Sequence, residues 1–342
     1  MSRTADISVL IVAYRSRQTI KRCLDALAAQ TVRPREILLL ENGSPGGEDV
    51  RPADMSDCIR FEISGENLGF AAGNNLLARQ ASGRWLALLN PDAYAHPDWI
   101  EKLEDATRRY PDIAMFGSTQ YCAESPDLFD GTGDVYHAAG LAYRSGYRRP
   151  SRTPPPEGEV FGPCAAAALV RRDVFEKLGG FEEGFFCYNE DVDLAYRARL
   201  AGYRAIQLAG AAVDHAGYAS SGRRSELTTY YGVRNREWVF FRNTPGWLLP
   251  VLLPVHLVAT TALWLSAARF GQFVLYGTAL RDAWTRRGDL SKTRREVQTS
   301  VRVKPSEIAS AMVWNPIRLF TRAAGVRPWP AQAVSTPEVR EP

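Results

Sequence analysis

The chain is poor in the features that announce a metal, redox or secreted protein. Of its 342 residues only five are cysteines: Cys23, Cys58, Cys122, Cys164 and Cys187. They are odd in number and far apart, with no Cys-x-x-Cys pair and no histidine at zinc spacing. A disulfide framework and a structural zinc site are therefore excluded, and reduced core thiols are expected, as in a cytosolic protein. No strand feeds a Gly-x-Gly-x-x-Gly turn, which argues against a dinucleotide-dependent oxidoreductase. The N-terminal run "ISVLIVAY" is too short and too soon followed by arginine to be a signal peptide. It reads as a first buried strand in a protein that stays inside the cell. There is no internal repeat and no low-complexity tract. A formal net charge of +4 gives no reason to expect nucleic acid as a partner.

The composition that remains, 45% hydrophobic and 23% charged, is that of an ordinary globular protein. Its first half alternates buried strands with amphipathic helices, the signature of a mostly parallel sheet with crossover helices. After "ISVLIVAY", Ile20, Cys23, Leu24 and Leu27 recur at helical spacing. "REILLLENGSPGG" is a second buried strand running into a glycine-rich turn. "NLGFAAGNNLLARQA" opens a helix near Ala71, and "RWLALLNPDA" is a further strand that delivers Asn90 and Asp92 to its end. The polar clusters thus follow the carboxyl ends of strands, where open parallel sheets bind ligands. Residues 120–159 show no period, and "RRPSRTPPPEGEV" is expected to be extended and mobile. A long irregular segment inside a domain is usually a binding loop.

Three acids, Glu190, Asp191 and Asp193, stand directly behind the apolar "GFFCY". One reading is helix-end chemistry: acids in a first turn complement the dipole, Asn189 is suited to cap the helix, and Asp193 pairs on the surface with Arg197. The other is catalytic. Oxygen donors such as Asp92 suit a hard divalent ion, usually shared with substrate phosphates.

Taken as an ordered set, "SVLIVAYRS", "EILLLENGS", "NLGFAAGNN", "LLNPDA", "GGFEEGFFCYNEDVDLAYRARLAGYR" and "VDHAGYASSG" resemble the family 2 glycosyltransferases, in particular their bacterial rhamnosyltransferase-like members. The resemblance covers residues 7–240. It implies a GT-A fold, a nucleotide-sugar donor, Mg²⁺ or Mn²⁺, and inversion at the anomeric carbon. Carried over by position, Ala13 and Tyr14 would line the base pocket, and Glu41 would accept from the pyrimidine N–H where the commoner residue is aspartate. Asn67, Gly69, Phe70 and Asn74 would abut the donor. Asp92 and His215 would bind the metal, with Asn90 on sugar or ribose in place of a first acid. Asp191 would be the general base, Glu190 would position hydroxyls, and Asp193 would support the helix start. Phe185, Phe186 and Tyr188 would exclude water, and Arg234 and Arg236 would hold the diphosphate.

Beyond the core, Trp247 to Ala268 contains no Asp, Glu, Lys or Arg and one histidine, His256, and between Arg269 and Arg322 there are 11 Lys/Arg against four acids. Such a stretch spans a bilayer, lies in its surface, or packs as a helical appendage on protein, a second copy of the chain included. Surface attachment is the favoured expectation, at the cytoplasmic face of the plasma membrane. The resulting division is a catalytic domain over 1–240, a helical membrane-associating or oligomerising region over 241–325, and a disordered tail over 326–342. The function expected is transfer of a sugar, foremost L-rhamnose from dTDP-rhamnose, to a saccharide or lipid-linked saccharide. Donors with UDP-hexose or UDP-galactofuranose are the alternatives within that class, and a non-catalytic membrane scaffold is the alternative outside it.

Overall fold

A computed structural model describes residues 3–51, 59–217, 225–285 and 287–329. Cys58, Arg286, the "YASSG" half of the last motif and the tail from residue 330 lie outside these residues. The order is β1 (Thr4–Ala13), α1 (Ile20–Ala28), β2 (Arg33–Asn42), β3 (Ile59–Ser64), α2 (Gly69–Gln80), β4 (Trp85–Leu89), β5 (Ala93–Ala95) and α3 (Trp99–Arg109). Then follow β6 (Met115–Cys122), β7 (Ser125–Gly131), β8 (Asp134–His137), β9 (Leu141–Arg144), β10 (Gly158–Val160), β11 (Ala167–Arg171), α4 (Arg172–Lys177), α5 (Glu190–Leu200) and β12 (Ala205–His215). The chain closes with α6 (Glu226–Asn243), α7 (Leu248–Ala267), α8 (Phe273–Thr285), α9 (Arg287–Thr299), α10 (Pro305–Ala311), α11 (Ile317–Thr321) and β13 (Arg327–Pro328).

The sheet runs β13-β10-β12-β6-β11-β4-β1-β2-β3. It is parallel over β3, β2, β1 and β4 and mixed beyond, where β11 runs antiparallel to both β4 and β6. β1 is buried throughout from Ile7 to Ala13, which is why it reads as a continuous apolar run rather than an alternating one. Ile20, Cys23, Leu24 and Leu27, the residues spaced for a helix, are the buried stripe of α1. α1 and α3 cover one sheet face, while α2, α4 and α5 cover the other.

A third apolar cluster joins α5 to the C-terminal helices through Tyr196, Trp238, Phe240, Leu248, Leu252, Ala283, Val297 and Ile308. Burying a large apolar side chain contributes about 1.5–3 kcal/mol, so these helices are fastened to the sheet-bearing layer rather than tethered beside it. Among the described residues Leu248–Phe270 is the one helix long and apolar enough to cross a membrane, and 22% of its apolar window is buried against protein. His256, in its middle, is fully buried, stacked on Phe240 at 3.8 Å and bonded to Glu237 at 3.0 Å.

Two expectations are corrected here. Residues 120–159 are more ordered than an aperiodic sequence suggests: short strands β7, β8 and β9 turn on Gly133 and Gly140, both at positive φ. β8 and β9, of four residues each, are too short to show a period, and the seven residues of β7 do not alternate in burial. Arg327 and Pro328, assigned to the tail, pair antiparallel with β10.

Candidate functional site

Strand pairing brings distant residues together at the carboxyl end of the sheet. β5 pairs with the end of β12 so that Ala93 faces His215, and Ala216 N–H donates to the carbonyl of Asp92 at 3.0 Å. Asp92 is thereby set beside the His215 ring, with Oδ1 to Nε2 at 3.3 Å. The amide nitrogen of Asn90 lies 3.3 Å from the same Nε2. On the other ring nitrogen, Nδ1 meets Asp130 at 2.7 Å. Asp130 comes from β7 and also pairs with Arg144 of β9. A carboxylate behind a histidine fixes its tautomer and aims the far nitrogen, the arrangement that supports metal-ligating histidines.

Charge follows from this geometry. Burial opposes a charge on His215, but the carboxylates of Asp130 and Asp92 outweigh it and raise the ring to about 9. Burial likewise opposes ionisation of Asp92 and Asp130, yet His215 holds both below the usual carboxylate range. The protein thus holds a positive charge between two carboxylates, one on each ring nitrogen. A second group, Asp134, Cys164 and Asp191, has its potential ligand atoms within 4.8 Å of one another. It suits a hard ion less well: burial keeps the Cys164 thiol protonated, and backbone N–H groups already donate into Asp191.

Asp191 sits on the first turn of α5. Its Oδ2 accepts from Ala165 N–H at 3.1 Å and its Oδ1 from its neighbour Val192 N–H at 2.8 Å. Burial nonetheless dominates and raises its carboxyl above the ordinary value. Glu190 is buried with one oxygen lacking a partner among the described residues, and burial followed by the charge of Asp191 pushes it well up. Asp134 is shifted the same way for the same two reasons.

The turn that presents these acids is strained. Phe186, Tyr188 and Asn189 all have positive φ, a conformation costing about 1–3 kcal/mol per non-glycine residue. What offsets it is α6. The Asn235 amide donates to the carbonyls of Phe185, Cys187 and Tyr188, at 2.9, 2.8 and 2.8 Å, and Arg234 donates to those of Gly184 and Phe185. Gly69, φ +82°, completes the fit: a Cβ there would stand 2.5 Å from the Phe186 ring. That close approach, to protein rather than to a ligand, is what requires glycine.

A cleft of about 660 Å³ collects most of the residues singled out from the sequence. Tyr14, Asn67, Gly69, Phe70, Asn90, Asp92, Phe186, Tyr188, Glu190, Asp191 and His215 line it. Others lie elsewhere. Ala13 is fully buried in β1, and Asn74 is buried with its amide on the Phe70 carbonyl. Phe185 is buried against Trp238. Glu41 holds the loop after β2, accepting from Ser44 and Val50 N–H at 2.8 Å each. Arg234 clamps the strained turn instead of facing the cleft, and Arg236 is buried among Glu237, Tyr276 and Thr260. Asn189 does not cap α5; its side chain reaches the Gly232 carbonyl at 3.3 Å. Asp193 and Arg197 form a buried pair, not a surface one.

Sequence reasoning missed Asp130, Asp134, Arg144 and Asn235. The first three lie in the segment without periodicity, where "DGTGD", two acids spaced by glycines, was the available signal.

A sheet that is parallel over β3, β2, β1 and β4 and mixed beyond, with acids gathered at its carboxyl end, is the architecture of a GT-A transferase. The chain belongs to glycosyl transferase family 2, whose model matches residues 8–179, and it is therefore an enzyme of the transferase class. It is 29% identical to an N-acetylglucosaminyl-diphospho-decaprenol L-rhamnosyltransferase of Mycobacterium tuberculosis, over 75% of this chain and 94% of that protein. Among solved structures it resembles residues 1–349 of S. aureus TarS, with TM-score 0.50 and 14% identity over 90% of this chain and 93% of that one. It also resembles GalNAc-T7, solved with UDP, GalNAc and Mn²⁺, with TM-score 0.54 and 16% identity over 67% and 47% of the two chains.

Proposed function

We propose that the protein is an inverting glycosyltransferase that moves L-rhamnose from dTDP-rhamnose to a lipid-linked saccharide, with Asp191 as the base. The observation that carries this reading is the convergence of Asp92, His215, Glu190 and Asp191 on one cleft that also holds Tyr14, Asn67 and Phe70. The rhamnosyltransferase relative, aligned over nearly its whole length, supports the sugar and the class of acceptor.

Asp92 and His215 would hold Mg²⁺ or Mn²⁺, which when bound supplies positive charge against the departing diphosphate. Asp130 keeps the His215 Nδ1 proton engaged and so leaves Nε2 to face the ion. Asp191 takes the proton of the acceptor hydroxyl as the new bond forms, and its raised pKa suits a base working near neutrality. Burial, followed by the charge of Asp191, pushes Asp134 and Glu190 well above the ordinary carboxyl range. Glu190, beside the base, positions a sugar hydroxyl. Phe186 and Tyr188 narrow the cleft around the reacting carbon and keep water out.

The test is a panel of nucleotide sugars with Mg²⁺ or Mn²⁺, read by nucleotide release and by thermal melting. dTDP-rhamnose should give the largest rise in melting temperature, because a ligand that binds only the native state stabilises it. A larger rise with a UDP-hexose would replace the donor assignment, and no rise with any nucleotide sugar would remove the transferase reading of this cleft.

A further inference from the structure

One wall of the cleft is formed by β9 and the far C-terminal segment. Ala142, Tyr143 and Arg144 of β9 line it together with Arg322, from the far C-terminal segment. That segment is laced to the β8–β9 hairpin by backbone. Ala138 N–H donates to Val313 at 2.9 Å, Gly146 N–H to the Arg322 carbonyl at 2.8 Å, and Gly325 N–H to Ser145 Oγ at 2.7 Å. The Arg149 guanidinium adds bonds to the Thr321 carbonyl. Arg322 itself turns through positive φ. Its position is therefore built in, not incidental.

What is gathered there is cationic. The guanidinium groups of Arg144 and Arg322 stand over one ring, Tyr147, at 5.5 and 5.2 Å. Among the described residues neither Arg318 nor Arg322 has an ion-pair partner. The Tyr143 hydroxyl is buried on this wall without a hydrogen-bond partner among the described residues. Arg318 stands one helical turn before Arg322, whose N–H donates to the Arg318 carbonyl at 2.9 Å, and both charges act against the rise that burial gives the phenol pKa. Like charges converging beside an unpartnered donor indicate an anion as the missing component. Immediately beside them the surface is apolar: Ile317, Trp314 and Phe320 are exposed, Phe320 by 87%, on and just before the same short helix.

We propose that Tyr143, Arg318 and Arg322 form the subsite for the diphosphate of a lipid-linked acceptor, with Ile317 and Phe320 receiving the first part of its hydrocarbon chain. A free phosphate would need the cations alone, and a hydrocarbon the apolar side chains alone. A prenyl diphosphate is the chemical class that uses both. The inference rests on the lipid-linked acceptor read above, but its test does not require transfer to occur.

The probe is farnesyl diphosphate, titrated into the full chain by calorimetry, with farnesol, inorganic pyrophosphate and dTDP as controls. Replacing both arginines (R318A/R322A) should weaken farnesyl diphosphate by about ten-fold or more, since charge-assisted bonds contribute about 1.5–3 kcal/mol. R318K/R322K should recover part of that loss, which guards against misfolding. The substitutions Ile317→Asp and Phe320→Asp should weaken farnesyl diphosphate while leaving pyrophosphate unchanged. dTDP should bind all variants as it binds the wild type. Equal farnesyl diphosphate affinity in wild type and R318A/R322A would overturn the proposal. So would loss of dTDP binding in that variant, because the arginines would then serve the donor. If no nucleotide sugar is used but the farnesyl diphosphate pattern holds, the transferase reading fails and the subsite stands.

Discussion

Asp191 and Asp193 stand two residues apart on the first turn of α5 and are the same chemical group, yet Asp193 is fully buried, Asp191 is half-buried on the cleft, and their surroundings are opposite. Asp193 faces the interior of the protein, where Arg197 donates to it at 2.7 Å, Asn243 at 2.8 Å, and Arg242 lies 3.5 Å away. Burial opposes its charge, but these partners prevail and hold the carboxyl below the ordinary value. Asp191 faces the cleft with backbone N–H groups for partners, other acids for neighbours, and a raised pKa. The same contrast separates the cleft from the α6–α7 junction, where Arg236, Glu237 and His256 satisfy one another. Where buried charge is fully paired it organises the fold; where it is left short of a cation it is available for chemistry.

The largest effect expected from breaking this contrast is on the paired side. Asp193→Asn should destabilise the protein by about 3–5 kcal/mol, because it leaves the buried Arg197 guanidinium without its carboxylate and removes one of the two that face Arg242; denaturant unfolding measures this. The linkage has a definite sign. A depressed carboxyl stabilises above its unfolded value, near 3.8, and that contribution is lost as pH falls through the lower native value. Wild type and Asp193→Asn should therefore converge in stability in strong acid.

On the cleft side, Asp130→Asn should lower Mn²⁺ affinity by about 10–100-fold, the usual cost of removing the partner behind a ligating histidine. Isothermal titration of the ion, without donor, reads it. Because His215 keeps its proton up to about 9, the ion must displace that proton, so Mn²⁺ affinity should climb between pH 6.5 and 9 and level off above. A pH-independent affinity would mean that His215 is not a ligand. The smallest effect belongs to the outer surface. Lys21→Ala, which removes an exposed pair with Asp25, should change stability by about 0.5 kcal/mol or less.

Much of the site was legible before any coordinates, because its residues follow strand ends and occur in short ordered motifs. Asp92, Asp191 and His215 are of this kind. What was not legible is where a side chain on a helix points. "RNRE" marks two arginines in the right part of the chain, but helical rotation turns Arg236 into the α7 contact and gives the work of holding the strained turn to Arg234 and Asn235. Asn189 likewise looked like a cap, and the left-handed conformation that presents the acids took it out of capping geometry. Tertiary demands at a functional turn override local preference. The β7–β9 segment was opaque for another reason: β7 does not alternate in burial and β8 and β9 have four residues each, so "DGTGD" alone hinted at Asp130 and Asp134.

The most direct measurement is sugar transfer by Asp191→Asn, made alongside its donor-induced rise in melting temperature. If Asp191 is the base, kcat falls by about 10²–10⁴-fold while the donor and ion stabilise the variant as they do the wild type. Transfer within a factor of about two of wild type, with donor binding intact, would contradict the assignment of the base and with it the division between the two faces of α5.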